Sequence, residues 1–343
     1  MTVLLVPGDV DDPASPSGGN HYDRRVRDEL AALGRAVEWT PLPGAWPRPE
    51  PAGVDALDRA LAGTPDGTTV LADGLVVCAL PEPVVPHAER LDLVVLLHLP
   101  LADETGADPA LDDAERAVLH AARAVVATST WTVSVLTGRH GIAPERVALA
   151  VPGTDPAPAA PGTGGAGGLL SVGSLTPRKG HDVLVAALAE LTDLDWTATI
   201  VGPGGRAPEH ADAVRTAAGE RVRFTGARHG AELEAEYAAA DLLVLPSRAE
   251  PYGMVVTEAL ARGIPVLASD VGGVRSALGD AAVDELLVPP GDAGALAGAL
   301  RRWLGDPALR ARARDRARTA TPPGWDVTAR TLDEVLTASA VRS

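Results

Sequence analysis

Two glutamates eight positions apart bracket the run Glu250-Pro251-Tyr252-Gly253-Met254-Val255-Val256-Thr257-Glu258. In one continuous helix at ~100° per residue, their carboxylates would lie roughly 80° apart. Pro251 and Gly253 forbid that helix. The helix must start near Gly253, which leaves Glu250 in the preceding loop and puts Glu258 within the helix. The amides of Gly253, Met254 and Val255 then have no helical partner and point outward. One turn therefore offers two carboxylates for sugar hydroxyls and a helix N-terminus for phosphate.

A second group stands in Val172-Gly173-Ser174-Leu175-Thr176-Pro177-Arg178-Lys179-Gly180. Lys179 is the single lysine of the chain, against 29 arginines. An Arg178–Lys179 pair at a strand-to-helix turn would neutralise phosphate oxygens. A third feature is Ser17-Gly18-Gly19-Asn20, where paired glycines let backbone amides approach an anion at a helix start. Its spacing is not the GxGxxG of a dinucleotide fold, which disfavours a nicotinamide-dependent dehydrogenase.

These residues need elements to hold them. Short apolar runs alternate with Ala- and Leu-rich stretches throughout. The strands read as Val3–Val6, Ala36–Trp39, Thr69–Ala72, Leu93–Leu97, Ala124–Ala127 and Val147–Ala150 in the first half. In the second they are Leu169–Val172, Thr197–Val201, Val222–Thr225, Leu242–Leu245, Pro265–Ala268 and Leu286–Val288. Several are continuously apolar, as strands buried on both faces of a parallel sheet must be. Tyr22–Leu33, Asp182–Leu191, Ala231–Ala239 and Ala293–Leu304 read as helices between them. Repeated βα units predict a doubly wound α/β protein with ligands at the carboxyl ends of the strands. Residues 153–168, rich in Pro, Ala, Gly and Thr, read as a linker. The expected plan is a first domain over 1–152, a second over 169–321, and a final helix within 322–343 packing back on the first.

Composition narrows the function classes. A length of 343 residues suits about two domains. The net charge of −16 argues against nucleic acid and against a broadly cationic membrane surface. Aromatic content of 3% disfavours a stacking platform for single strands. The lone Cys78 has no partner within the chain and reads as a core residue of a reducing compartment. Leu91–Ala102, the most apolar stretch, is far shorter than the ~20 residues of a membrane span. A soluble, cytoplasmic protein is expected, with no targeting segment. The arginine-rich stretch Arg301–Arg318 reads as a solvated helix face. Arg24, Arg25 and Arg27 offer a basic patch on the first helix.

Several segments together resemble the retaining GT-B glycosyltransferases, and more closely glycosyltransferase family 4 with its E-x7-E motif. They are Val222-Arg223-Phe224-Thr225-Gly226, Ala240–Ser247, Glu250–Glu258 and Gly263-Ile264-Pro265-Val266. The resemblance covers 169–291 most strongly and extends to the first half through Gly18-Gly19, His98 and Val151-Pro152-Gly153. It implies a GT-B architecture, two Rossmann-like domains facing across a cleft, and a nucleoside-diphosphate sugar as donor. By that resemblance Glu258 would hold the donor ribose and Glu250 the hydroxyls of the donor sugar. Lys179 and Arg178 would clamp the diphosphate, with amides at Gly253, Met254, Val255, Gly18 and Gly19. His98 would lie near the donor sugar. Ser174 stands where the family often has Arg, which shifts the clamp onto Arg178 and Lys179. Gly153-Thr154-Asp155-Pro156 replaces the usual Asn-Gly-Val-Asp.

Cleaving a sugar–phosphate bond builds negative charge on the departing diphosphate, which a Lys-Arg pair and a helix N-terminus can stabilise. The sequence has no Asp-x-Asp cluster and no His/Cys grouping with ligand spacing, so no metal is expected. No second nucleophilic carboxylate is evident, which favours same-face displacement with the departing phosphate taking the acceptor's proton. The acceptor, a small molecule or a lipid-linked one, is expected against the first domain, where Asp73, Asp103, Glu104 and Thr105 are candidates. Two alternatives remain open: a nucleotide-sugar epimerase or hydrolase on the same plan, and a non-catalytic sugar-nucleotide-binding subunit.

Overall fold

The computed structural model describes residues 2–12, 17–104 and 110–340. It divides into two units, 1–153 with 323–343, and 154–322. The first contains β1 (Thr2–Pro7), α1 (Gly18–Ala32), β2 (Val37–Leu42), α2 (Pro51–Gly63), β3 (Thr69–Asp73), α3 (Gly74–Val77), α4 (Pro81–Ala88), β4 (Asp92–Leu97), α5 (Ala110–Ala121), β5 (Ala124–Ala127), α6 (Thr130–Gly138) and β6 (Val147–Leu149). The second contains β7 (Gly168–Val172), α7 (His181–Ala189), β8 (Thr197–Val201), α8 (Pro208–Ala217), β9 (Val222–Gly226), α9 (Gly230–Ala238), β10 (Leu242–Leu245), α10 (Met254–Ala261), β11 (Val266–Ser269), α11 (Val274–Leu278), β12 (Leu287–Val288), α12 (Ala293–Gly305) and α13 (Pro307–Thr319). A last helix, α14 (Trp325–Ala340), belongs to the first unit.

Each unit is a six-stranded, wholly parallel sheet, ordered β2-β1-β3-β4-β5-β6 in one and β12-β11-β10-β7-β8-β9 in the other. All twelve strands lie where the apolar runs place them, within a few residues. Strands such as β1, β5, β10 and β11 are buried along their whole length. That is why they read as unbroken apolar runs rather than as alternating ones. The strand order reverses between β1 and β3 in the first sheet and between β7 and β10 in the second. In open α/β sheets, ligands bind beside such reversal points, at the carboxyl ends of the strands.

Two local features differ from the sequence reading. Helix α1 begins at Gly18, so Gly18-Gly19 form its first turn instead of a free loop. Ser17 supplies the cap, its Oγ accepting from Asn20 N at 3.0 Å. The arginine-rich stretch is two helices, because Pro307 cannot continue α12 and Asp306 caps α13 through Ala308 and Leu309 amides. Its arginines are largely exposed, as a solvated face, and make surface pairs: Arg301 with Asp193 and Arg312 with Glu285, while Arg310 donates to Trp303 and Leu304 carbonyls.

The stretch 153–168 follows the boundary between the two units and is tied to the second by hydrogen bonds. Ala160 N donates to Arg262 O and Gly162 N to Ala238 O, each at 2.9 Å. The buried Asp241 accepts from the amides of Thr163 and Gly168 at 3.0 and 2.9 Å. Gly168 already opens β7. In the first unit, α14 is anchored by Thr328 Oγ1 donating to Val151 O at 2.7 Å and by the Arg35–Asp333 pair at 2.5 Å. Gly153 makes that packing possible, since a Cβ there would sit 2.4 Å from the Trp325 backbone.

Candidate functional site

In the second unit, the loops after β7 and β10 converge at the point of strand reversal. The β10 loop ends at Gly253, whose φ of +94° suits glycine and starts α10 at Met254, as Pro251 and Gly253 require. Glu250 is thus in the loop and Glu258 in the helix. The α10 cap has no side-chain hydrogen bond, so its leading amides, those of Met254 and Val255, keep their donor capacity. Gly272, φ +56°, allows the next loop to close on Glu250: its Cβ would lie 2.0 Å from Glu250 O, and Gly273 N donates to that oxygen at 3.0 Å.

Glu250 is 5% exposed and its Oε2 accepts from Lys179 Nζ at 2.6 Å and from Ser247 Oγ at 3.1 Å. Burial pushes this carboxyl up, but the charges of Lys179 and Arg178 and the two hydrogen bonds outweigh it. The net result is a carboxyl held below the ordinary range. Arg178 Nη1 donates to Ala249 O at 3.1 Å. Arg178, Lys179, Glu250 and Gly253 are therefore gathered in one place, with Lys179 resting on Glu250. Ser174 lies at the same β7 end, its carbonyl accepting from Thr176 N at 2.8 Å. Neighbouring His181 is buried, and burial with the Lys179 charge lowers it to about 3, so it stays neutral.

Two contributions were not legible in the sequence. Arg248 joins the loops, with Nη1 and Nη2 to the Asp182 carboxylate at 2.8 and 2.6 Å and its amide to Arg178 O at 2.7 Å. Tyr237 on α9 donates its hydroxyl to Glu258 Oε2 at 2.6 Å. Burial pushes the Glu258 carboxyl up, and the Tyr237 hydrogen bond and Arg262 charge offset this only in part.

In the first unit, His98 follows β4 and Asp73 ends β3. His98 Nε2 meets Asp23 Oδ1 at 2.9 Å, and Asp23 is fully buried on α1. Tyr22 packs edge-on against the imidazole at 5.0 Å between ring centres. A Cβ on Gly19 would come 3.2 Å from His98 Cδ2, so Gly19 and His98 are neighbours at the carboxyl ends of β1 and β4. Burial alone would lower the imidazole, but the charge and hydrogen bond of Asp23, with Asp73 behind it, raise it to about 9. Asp73 is raised to about 7 by burial and by Asp23. Asp23 was not singled out in the sequence, where it stands as one residue of the predicted helix Tyr22–Leu33.

Among the described residues, two groups bring potential metal-ligand atoms within 4.8 Å of one another: Asp23, Asp73 and His98, and Asp112, Glu115 and His140. Both are in the first unit, and in the first group His98 Nε2 is already committed to Asp23. Of the acceptor-side candidates, Asp73 takes the role of α3 cap, accepting from Leu75 N at 2.8 Å. Asp103 pairs with Arg139 at 3.1 Å. Thr105 lies outside the described residues. No helix is long and apolar enough to cross a membrane among the described residues.

Residues 165–320 match the family described as glycosyl transferases group 1. Curated relatives include D-inositol 3-phosphate glycosyltransferase 1 of Catenulispora acidiphila, 36% identical over 66% of this chain and 59% of the relative. The D-inositol 3-phosphate glycosyltransferase of Kineococcus radiotolerans is 36% identical over 64% of this chain and 58% of its own length. The chain thus spans somewhat under three-fifths of these relatives. Among solved structures, sucrose-phosphate synthase from Thermosynechococcus elongatus superposes with a TM-score of 0.77 at 24% identity, covering 100% of this chain and 99% of the other. Anabaena HepE in complex with UDP-glucose gives 0.74 at 18% identity, covering 98% and 99%. The chain therefore has the GT-B fold of two Rossmann-like units, carries a glycosyl transferases group 1 domain in the second, and resembles glycosyltransferase family 4.

Proposed function

We propose that the chain is a retaining, metal-independent glycosyltransferase that moves a sugar from a nucleoside-diphosphate sugar to an acceptor hydroxyl. The observation that carries this reading is the Lys179–Glu250 pair beside the uncapped start of α10, at the strand reversal of the second sheet. Glu258 takes the ribose hydroxyls. The leading amides of α10 and the cations Arg178 and Lys179 take the diphosphate, whose charge grows as the glycosidic bond breaks. On donor binding, Lys179 is shared between Glu250 and the phosphate oxygens, and Glu250 turns its carboxylate to the donor sugar. His98, held protonated by Asp23, is assigned to the reaction as a standing cation by the family resemblance. The departing phosphate accepts the acceptor's proton on the face it leaves.

The first test is a thermal-shift screen of nucleoside diphosphates and nucleotide sugars. A true donor at 100 times its Kd should stabilise the protein by about 2.7 kcal/mol. No shift with any of them would reject the reading. Added acceptor then separates transfer from epimerisation or hydrolysis, and turnover of any kind rejects a purely binding subunit. Because the clamp is built from side-chain and helix-end cations, transfer is expected to persist in chelator. Loss of turnover in EDTA that magnesium or manganese restores would refute that part.

A further inference from the structure

Tyr237 is 1% exposed, yet its hydroxyl is spent on a single atom, Glu258 Oε2, at 2.6 Å. Glu258 Oε1 has no hydrogen bond among the described residues. The tyrosine is itself held. Arg262 lies over its ring, 4.5 Å from the centre, and donates to Glu258 O at 2.6 Å. The same guanidinium is gripped by Glu234, through Nε at 3.1 Å and through Nη2. Arg262 O in turn accepts from Ala160 N, which ties the 153–168 segment to the same arginine.

A free glutamate has three soft dihedrals and must be ordered each time it binds a ligand, which weakens binding. Here one carboxylate oxygen is tied before any ligand arrives. We propose that Tyr237, braced by Arg262, is a positioning residue that fixes one oxygen of Glu258 so that the other is presented to the two ribose hydroxyls of the donor. This rests on the second unit being a nucleoside-diphosphate site. It goes beyond that reading by placing the ribose selectivity in a residue that does not touch the ligand.

The test is calorimetric titration of uridine, adenosine and guanosine diphosphates, each with its 2′,3′-dideoxy form, into the wild-type protein and Tyr237→Phe. Phenylalanine keeps the ring and its stacking on Arg262 and removes only the hydroxyl. The wild type should prefer the ribose form of its tightest ligand by roughly thirtyfold, and Tyr237→Phe should cut that preference about tenfold while changing dideoxy binding less than about twofold. The preference is a ratio within one preparation, so an inactive fraction in the variant cancels. Equal weakening of both forms would mean a merely structural tyrosine and would overturn the inference, as would an unchanged ratio. No binding of any diphosphate to the wild type would overturn the donor-site reading and the inference with it.

Discussion

Lys179→Met is expected to lower kcat/KM by about a thousandfold and to destabilise the second unit by about 3 kcal/mol at neutral pH. The rate effect follows from removing the cation proposed to hold the departing diphosphate. The stability effect comes from Glu250. With Lys179 present, this buried carboxyl is held below the ordinary range. It therefore contributes stability above about pH 4.5, which is lost as pH falls through its folded value. Without Lys179, burial is opposed only by Arg178 and Ser247, and the carboxyl moves up. A carboxyl raised on folding weakens the protein at neutral pH and recovers as pH falls, so the variant should lose least in acid. The lower end of the ~3–5 kcal/mol range for a broken buried pair applies, because Arg178 remains and the Lys179 side chain is 17% exposed.

The check is urea unfolding at pH 5 and pH 7.5 of Lys179→Met, Glu250→Gln and the double variant, with donor turnover measured on each. Glu250→Gln in the Lys179→Met background removes the stranded charge, so stability should return while the rate does not. Equal stability of the single and double variants would show that Glu250 was never dependent on Lys179. A Lys179→Met enzyme with near-normal turnover would move the diphosphate clamp elsewhere.

That pair also marks where sequence reasoning stops. The strands were legible because a parallel sheet covered on both faces needs unbroken apolar runs, and Leu242–Leu245 or Leu93–Leu97 can be little else. The start of α10 was legible because Pro251 and Gly253 act locally. The residue types of the site were legible for the same reason. Their pairing was not: Lys179 meets Glu250 across 71 positions, and Tyr237 meets Glu258 across 21. Nothing in the local pattern distinguishes Tyr237 from any apolar residue of α9. The 153–168 stretch reads as a linker because its composition denies regular structure, but its anchoring is not legible locally: Asp241, far along the chain, collects two of its amides. Irregular backbone can be fixed when a buried acceptor satisfies it.

The second large effect is expected in the first unit, where Asp23→Asn should convert His98 from a standing cation into a group that titrates in the neutral range. In the wild type, Asp23 and Asp73 hold the imidazole at about 9 against the pull of burial. A histidine raised on folding contributes stability that is fully present below its unfolded value, about 6.5, and is lost as pH rises through about 9. Asp73, raised to about 7, acts in the same direction, since the folded state again holds its proton more tightly than the unfolded chain. Wild-type stability should therefore fall between pH 6.5 and 9, by up to about 3 kcal/mol from His98 alone. The substituted amide can still accept a hydrogen bond from Nε2 but brings no charge, so burial then dominates and the imidazole loses its proton at or below neutrality. That slope should disappear from the variant's unfolding curves, and turnover should acquire an acid-favoured profile near pH 6 to 7, with kcat falling at least tenfold by pH 8. Proton NMR of the His98 ring across pH 5 to 10, in wild type and Asp23→Asn, reads the titration directly. An imidazole that titrates near 6.5 in both proteins would remove the standing cation. One that stays protonated to pH 9 in both would transfer its support from Asp23 to Asp73.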